Sequence, residues 1–346
     1  MTELSPILRE YAVQDADASP EIGSTTELLC DFITTRLPQP GEPLADAAAH
    51  HFAKPGKMLR AKMALRAANA LNVDRAAGLH WAVAIEVLHN ASLIHDDICD
   101  GDRLRRGRPA VWSKFGRDVA LALGDWLIAL SFELAAEAAQ RSQTPMLVKI
   151  LAGHMKTTTL GEAREFDIQR NCDWKSYLQI AADKTAPLLT APLQGVATMA
   201  LHTGASTRIC SYFRCLGNAY QVANDMLNFS GDDGAETSGS DLARRAPNAV
   251  VVLFRDQLDD TTKSRFDSWY ASGCTADVEL WREAILESSA IRVAAVKMYG
   301  MLDESERLAA TLPPELTEVI QPVWQMLQQV CQRSASKLSS QNGSRW

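Results

Sequence analysis

Three aspartates close together at the end of an apolar segment constrain this chain more than any other feature. They are Asp96, Asp97 and Asp100, within residues 86–107, which read EVLHNASLIHDDICDGDRLRRG. Side chains four residues apart share one helical face, so Asp96 and Asp100 would point the same way, with Asp97 beside them. Carboxylates this close repel each other unless a cation lies between them. Because every ligand would be an oxygen, the pattern predicts a hard cation, with Mg²⁺ favoured over Zn²⁺.

Three arginines follow directly: Arg103, Arg105 and Arg106. An acidic cluster followed by arginines suits a metal–phosphate ligand. Mg²⁺ bridges carboxylate and phosphate oxygens, while arginine forks bind the remaining phosphate oxygens. The alternative is a solvated charged loop, and the apolar, helical segment before the cluster argues against it.

Composition narrows the class of protein. Of the 346 residues, 47% are apolar, enough for one large core or two smaller ones. The net charge of −7 and the lack of a long basic block argue against nucleic acid as a partner. The seven cysteines show no CxxC spacing, so we expect reduced thiols in a cytoplasmic protein, not disulfides or a zinc site. No signal peptide is evident, and no uninterrupted apolar run has transmembrane length.

Helical periodicity runs along most of the chain. It predicts helices over 24–37, 44–52, 57–71, 76–100, 119–139, 146–170, 174–203 and 207–230, with weaker segments up to 332. Residues 250–254 have a strand-like pattern, but they are too short and isolated to make a sheet. We therefore predict a single all-α domain at 23–333, with a polar leader at 1–22 and a polar, disordered tail at 334–346.

A second polar cluster lies at 220–233, where the chain reads YQVANDMLNFSGDD. Asn224, Asn228 and Asp232 are four residues apart on one helical face, with Asp225 adjacent and Gln221 one turn earlier. Amide and carboxylate oxygens at this spacing can hold another hard cation. The polar end of an ordinary helix is the alternative interpretation, and this segment alone does not decide between them.

Basic residues outside these clusters fit phosphate ligands. Lys184 precedes an otherwise apolar segment, and Lys57 and Arg60 lie three apart near a predicted helix N-terminus, where diphosphates bind readily. Each alone is more often a solvated helix edge. Together, two metal sites, several cationic phosphate ligands and an apolar interior suit a long hydrocarbon with a diphosphate head.

Six motifs in order resemble those of the trans-isoprenyl diphosphate synthases, the polyprenyl synthetase family, from about residue 55 to 252. HDDICDGDRLRRG resembles the first aspartate-rich motif, DDxxD with a trailing RRG, and PGKMLR resembles GGKRLR. Gly124 and Asp125 match a GD pair, and LGEAREFD is similar to GQxxDL with Glu162 at the glutamine. DKTAPL matches KTAxL, and AYQVANDMLNF resembles FQxxDDxLD.

The resemblance implies an isoprenoid synthase-type helical bundle around a deep apolar cavity, Mg²⁺ as cofactor with three ions when substrate is bound, and a homodimer. It also implies residue roles. The metal ligands would be Asp96, Asp97, Asp100, Asn224, Asp225, Asn228 and Asp232. The allylic diphosphate would be contacted by Arg105, Lys184 and Gln221, and that of the acceptor, isopentenyl diphosphate, by Lys57, Arg60, His89 and Arg106.

Departures from the family pattern concern the second cluster and the segment after it. Asn224 and Asn228 replace two carboxylates of DDxxD, so a cation should bind there more weakly. The spacing loosely resembles instead the second metal motif of class I terpene cyclases. The family's GKxTLP reads ARRAPNAVV, with Ala246 at the lysine, which removes a phosphate contact unless Arg244 or Arg245 replaces it.

Product length in this family depends partly on the residues four and five positions before the first aspartate. Here they are Ser92 and Ala91, both small, which resembles enzymes that handle chains of about C20 or longer. The alternative is that a large residue on another helix closes the same space.

The sequence leads to one primary function and two alternatives. We expect Mg²⁺-dependent ionisation of an allylic prenyl diphosphate and its condensation with isopentenyl diphosphate to a longer trans-prenyl diphosphate, because the acceptor-binding set is retained. A terpene cyclase, or a prenyltransferase with a non-standard acceptor, is the second hypothesis and rests on the altered second motif. A regulatory subunit without activity is the third, and the intact first motif argues against it.

Overall fold

The computed structural model describes residues 20–167, 172–230 and 239–341, and these ranges are almost entirely helical. The helices are α1 (Pro20–Arg36), α2 (Ala45–Phe52), α3 (Leu59–Ala70), α4 (Arg75–Asp100), α5 (Val111–Phe115), α6 (Arg117–Arg141), α7 (Met146–Asp167), α8 (Trp174–Met199), α9 (Ser206–Ser230), α10 (Ser240–Arg244), α11 (Ala249–Arg255), α12 (Asp260–Ser272), α13 (Val278–Glu287), α14 (Ala290–Ala309) and α15 (Pro314–Gln341). Two short antiparallel strands, β1 (Leu104–Arg105) and β2 (Arg108–Pro109), follow α4. The prediction of an all-α fold is confirmed.

The two helices that carry the polar motifs, α4 and α9, both pack against α8. On one side α4 also packs along α3 and α6, and on the other side α9 packs along α14 and α15. The large side chains of Trp81, Tyr212 and Phe213 are fully buried in the core between these helices. The packing of α8 against both motif helices therefore brings distant parts of the sequence together.

Helix α4 begins and ends with local signals that the sequence carries. The Asp74 carboxylate accepts a hydrogen bond from the Ala77 N–H at 2.8 Å, which caps the helix N-terminus. Gly101 ends the helix with a left-handed φ of 72°. The three aspartates of the first motif therefore occupy the last turn, where the negative end of the helix dipole disfavours them. Cations nearby are needed to offset that cost.

Close packing of α4 against α8 depends on Gly195. A Cβ at this position would lie 2.1 Å from Cε2 of Trp81, so only glycine allows the indole to reach the α8 backbone. There the Trp81 Nε1–H donates to the carbonyl of Pro192 at 3.3 Å. Pro192 lies inside α8 and has no N–H, so it interrupts the backbone hydrogen bonds of that helix. Trp81 therefore fixes α4 to α8 at this interruption.

Three predictions of local structure need correction. The strand-like residues 250–254 are helical, within α11, because Asn248 caps that helix through the N–H groups of Val250 and Val251. The loop expected at 103–109 contains the small hairpin of β1 and β2. Helix α15 continues to Gln341, through most of the tail predicted to be disordered, and its Ser334 is fully buried. Residues 1–19 and 342–346 lie outside the described ranges, and the division into leader, domain and tail remains a prediction.

One helix of the described ranges, α6, has the length and apolar composition of a membrane span. Its buried face, which includes Leu123, Leu127 and Leu134, packs against α4. The other face is more exposed, with Leu121 accessible to solvent. Packing in the core therefore accounts for the apolar residues on the buried face of α6.

Buried His51 should make the fold sensitive to acid. Its Nε2 lies 3.0 Å from Asn90 Oδ1, and burial, with Arg106 nearby, lowers the pKa of His51 to about 3. An unfolded chain titrates this group near pH 6.5, so the unfolded state binds the extra proton first as the pH falls. The His51 contribution is complete above about pH 6.5 and is lost toward pH 3, by up to roughly 4 kcal/mol.

Urea unfolding at pH 7 and pH 4.5 checks this expectation. The variant His51→Gln should lose less free energy of unfolding between the two pH values than the unsubstituted protein. An equal loss in both proteins would contradict the assignment to His51.

Candidate active site

The first aspartate motif is held by the hairpin that follows it. Asp97 is 1% exposed, and its Oδ1 accepts a hydrogen bond from Arg105 Nε at 2.8 Å. The turn between the strands has left-handed φ angles at Arg106 and Gly107, 55° and 74°, which suits a tight hairpin. This turn folds Arg105 back onto α4. An aspartate and an arginine of the predicted site are therefore in direct contact.

Among the described residues, one carboxylate oxygen of this motif remains available to a cation. The other carboxylate oxygen of Asp97, Oδ2, is buried without a hydrogen-bond partner among the described residues. Burial raises the pKa of Asp97 to about 6, although Arg105 lowers it. The described residues contain no ready-made group of three His, Cys, Asp or Glu side chains for a metal. Mg²⁺ commonly binds through one or two carboxylates plus substrate phosphates, so Asp96, Asp97 and Asp100 would hold it together with a diphosphate.

The residues predicted to bind the acceptor diphosphate lie on the other side of the hairpin. Arg106 Nη1 donates to the Lys54 carbonyl at 2.9 Å, and Lys54 Nζ donates to the Arg106 carbonyl at 3.0 Å. A Cβ at Gly56 would lie 2.8 Å from Arg106 Nη2, so a larger residue would displace this arginine. The segment that contains Lys57 therefore lies against Arg106, while the acceptor-binding role of both residues remains a prediction.

Two further members of that set, buried Arg60 and half-buried His89, lie close by. Arg60 is 8% exposed and lies near Glu86, whose Oε2 accepts from the Ala61 N–H at 3.3 Å. His89 Nδ1 is buried without a partner among the described residues. Burial lowers the pKa of His89, and Arg60 and Arg106 lower it further, so its imidazole is neutral at pH 7. A neutral ring beside two arginines can donate a hydrogen bond to an anion without adding to their repulsion.

Lys184 is paired with two glutamates that the sequence did not place in the site. Its Nζ lies 2.9 Å from Glu162 Oε2 and also bonds Glu165. Burial lowers the pKa of Lys184, but Glu165 and Glu162 raise it above its usual range. A Cβ at Gly161 would lie 2.9 Å from the α8 backbone, so this glycine lets α7 approach α8 at the lysine. Burial raises the pKa of Asp96 and nearby Glu162 raises it further, which places the lysine and its partners beside the first motif.

The second motif is tied into the fold by hydrogen bonds. Asp225 Oδ2 accepts from the Tyr177 hydroxyl and from the Ala249 N–H, both at 2.7 Å. Its Oδ1 accepts from Gln221 Nε2 at 2.8 Å, so the predicted diphosphate contact Gln221 is engaged within its own helix. Burial raises the pKa of Asp225, and Asp241 raises it further. This carboxyl therefore joins α8, α9 and the start of α11.

The two amides of the motif differ from each other. Asn228 Nδ2 donates to Ser240 Oγ at 2.9 Å, and its Oδ1 accepts from the Asp241 N–H at 3.3 Å. Asn224 is 6% exposed, and neither of its amide atoms has a hydrogen-bond partner among the described residues. Asp232, the last predicted ligand, lies outside the described residues. The metal-binding role of this motif remains a prediction.

The two arginines that could replace the missing lysine have different environments. Arg245 lies 3.8 Å over the Trp269 ring and donates to the carbonyls of Leu242, Tyr270 and Cys274, so its guanidinium is used inside the fold. Arg244 instead lies between Asp241 and Asp100. Arg244 therefore faces the first motif and Arg245 does not.

Comparison with known proteins agrees with this arrangement. The sequence profile of the family described as polyprenyl synthetase matches residues 42–288. The short chain isoprenyl diphosphate synthase of Methanothermobacter thermautotrophicus is 30% identical over 292 residues, 82% of this chain and 84% of that protein. Component 2 of the heptaprenyl diphosphate synthase of Geobacillus stearothermophilus is 30% identical over 279 residues, 78% of this chain and 84% of that protein. The chain belongs to the polyprenyl synthetase family.

Solved structures share the fold over nearly the whole chain. The decaprenyl diphosphate synthase of Rhodobacter capsulatus matches with a TM-score of 0.77 at 22% identity, covering 92% of this chain and 97% of its own. The polyprenyl synthase of Caulobacter crescentus, solved with calcium and isoprenyl diphosphate, matches with a TM-score of 0.74 at 25% identity, covering 97% and 99%. The expected isoprenoid synthase-type bundle is confirmed.

Proposed function

We propose that this protein ionises an allylic prenyl diphosphate, which releases pyrophosphate, and condenses the resulting allylic cation with isopentenyl diphosphate, which loses a proton, to give a longer trans-prenyl diphosphate. One observation carries the proposal. The β1–β2 hairpin places Arg105 on Asp97 and Arg106 on the Gly56 segment. Two diphosphate substrates require two adjacent anion sites. In one, aspartates would bind the diphosphate through Mg²⁺, and in the other the protein's own cations would bind it directly.

Different residues would bind the two diphosphates. Arg105 and Lys184 would bind and orient the allylic diphosphate, with Asp96, Asp97 and Asp100 holding Mg²⁺. Bound there, Mg²⁺ would neutralise charge that develops on the departing diphosphate. Lys57, Arg60, His89 and Arg106 would fix the acceptor diphosphate so that its double bond lies next to the allylic carbon. The apolar walls of α4, α8 and α9 would exclude water that would otherwise capture the cation.

An incubation with and without the acceptor tests the proposal. Farnesyl or geranylgeranyl diphosphate and Mg²⁺ are supplied, and products are separated by chain length. A longer diphosphate made only in the presence of isopentenyl diphosphate is expected. A hydrocarbon or alcohol formed without the acceptor would overturn the proposal in favour of the cyclase hypothesis.

Product length should respond to Ala91 on α4. This alanine is fully buried, while Ser92 is half-buried and donates its hydroxyl to the His89 carbonyl. A phenylalanine at 91 adds a ring on the wall one turn below the aspartates. We expect Ala91→Phe to shorten the main product by one or more isoprene units, because added core volume blocks the space that the growing chain needs.

Chromatography of the products checks this expectation. Val296→Phe is the control, since it adds a ring on the exposed face of α14. Unchanged product length in Ala91→Phe would mean that another helix sets the limit.

Homodimerisation is also part of the proposal. The outer face of α6 supports it, since Leu121 is exposed and Trp126, Ile128 and Phe132 are only partly buried. Apolar side chains in such a row on one helix favour burial against a second copy of the chain.

A further inference from the structure

Arg244, at the end of α10, connects the first motif to the segment that follows the second. Its Nη2 donates to Asp241 Oδ1 at 3.0 Å, and its Nη1 lies 3.8 Å from Asp100 Oδ1. Burial lowers the pKa of Arg244, but Asp241 and Asp100 raise it above its usual range. A permanent positive charge is therefore held between the two motifs.

Asp241 holds this guanidinium in place. Its Oδ2 accepts from Asn248 Nδ2 at 3.0 Å, which leaves Oδ1 directed to Arg244. Its backbone N–H donates to Asn228, a residue of the second motif. The polar side chains of the motif thus support the position of an arginine.

The described residues of the second motif are a poor fit for Mg²⁺. Asp225 accepts three hydrogen bonds and the Asn228 Oδ1 accepts one from the Asp241 N–H, so most of the lone pairs of Asp225 and one of those of Asn228 are in use. Asn224 has unpartnered amide atoms among the described residues, but it offers one neutral oxygen. Mg²⁺ requires near-ideal octahedral geometry and favours carboxylates, and the one carboxylate among these three side chains, Asp225, already accepts three hydrogen bonds.

We propose that Arg244 supplies at the second motif the positive charge that a metal ion would supply there, and that the protein binds diphosphate with two divalent ions instead of three. The inference rests on the function proposed above. On binding, Arg244 would exchange its long contact with Asp100 for the diphosphate oxygens, while Asp241 keeps the guanidinium oriented. The planar fork of arginine matches phosphate oxygens in pairs, which a lysine does not.

Binding of inorganic pyrophosphate and Mn²⁺ tests this without turnover. Bound Mn²⁺ is counted by electron paramagnetic resonance at saturating pyrophosphate, and pyrophosphate affinity is measured by calorimetry. We expect two ions per chain. Arg244→Gln should weaken pyrophosphate binding roughly 10- to 100-fold, and Arg244→Lys should recover part of the loss. Arg307→Gln, which removes an exposed arginine paired with Glu304, should leave the affinity unchanged.

A second variant tests the metal side of the proposal. Asn224→Asp restores a carboxylate at a position whose amide has no described partner, and the ion count should rise to three. Three ions in the unsubstituted protein, or equal affinities in Arg244→Gln and Arg307→Gln, would overturn the proposal. Because no product is measured, a protein that fails to elongate prenyl chains but gives these binding results would contradict only the proposed function.

Discussion

Replacing Asp96 with asparagine should lower kcat/KM by at least about 10³-fold while leaving the fold intact. The side chain is 8% exposed, at the end of α4, and the substitution keeps its shape while removing its charge. A neutral amide binds Mg²⁺ more weakly, so the charge that develops on the leaving diphosphate would be less well neutralised. Steady-state kinetics over a range of Mg²⁺ concentrations measure the effect, and the Mg²⁺ requirement should rise.

The control for this variant is Asp118→Asn, which removes an exposed carboxylate from the first turn of α6. It should have near-native kinetics and similar thermal stability. A near-native rate in Asp96→Asn would be inconsistent with the metal-binding role of the first motif.

Replacing Lys184 with methionine should affect both stability and catalysis. The lysine side chain is 14% exposed and bonds Glu162 and Glu165, so its loss leaves two partly buried carboxylates without their cation. Breaking a buried ion pair from one side costs about 3 kcal/mol of unfolding free energy or more. We also expect kcat/KM to fall at least about 10²-fold, because a charge on the allylic diphosphate loses its partner.

A triple variant separates the two effects. Lys184→Met combined with Glu162→Gln and Glu165→Gln removes the unpaired charges, so urea unfolding should show most of the stability recovered. Catalysis should remain impaired if Lys184 contacts the diphosphate. Recovery of native kcat/KM in the triple variant would show that the lysine only neutralises the glutamates.

The local elements were predictable because their signals lie close together in the chain. Asp74 caps α4 and Gly101 ends it, so the helix begins one residue before its predicted start and ends at its predicted end. The DDICD motif occupies its last turn. Residues 250–254 were misjudged because β-branched residues favour strands, whereas here a cap at Asn248 and complete burial stabilise a helix.

Pairings between helices were not predictable from the sequence. Glu162 and Glu165 lie about twenty residues before Lys184, and only the approach of α7 to α8 at Gly161 brings them to it. The sequence offered one signal for this pairing. Glu162 and Glu165 are three residues apart on one helix, and Lys184 begins an otherwise apolar segment. The engagement of Asp225 by Tyr177 and Ala249 had no comparable signal, since those partners lie on two other helices.

By itself the sequence determined the helical class, the position of the first motif on α4 and the family to which the chain belongs. These depend on periodicity and on short motifs, which act over a few residues. Tertiary structure decided that Arg244 faces Asp100 while Arg245 stacks on Trp269, although the two arginines are adjacent in the chain. Neighbours at the end of a helix point in different directions, and the packing of other helices around them determines what each side chain meets.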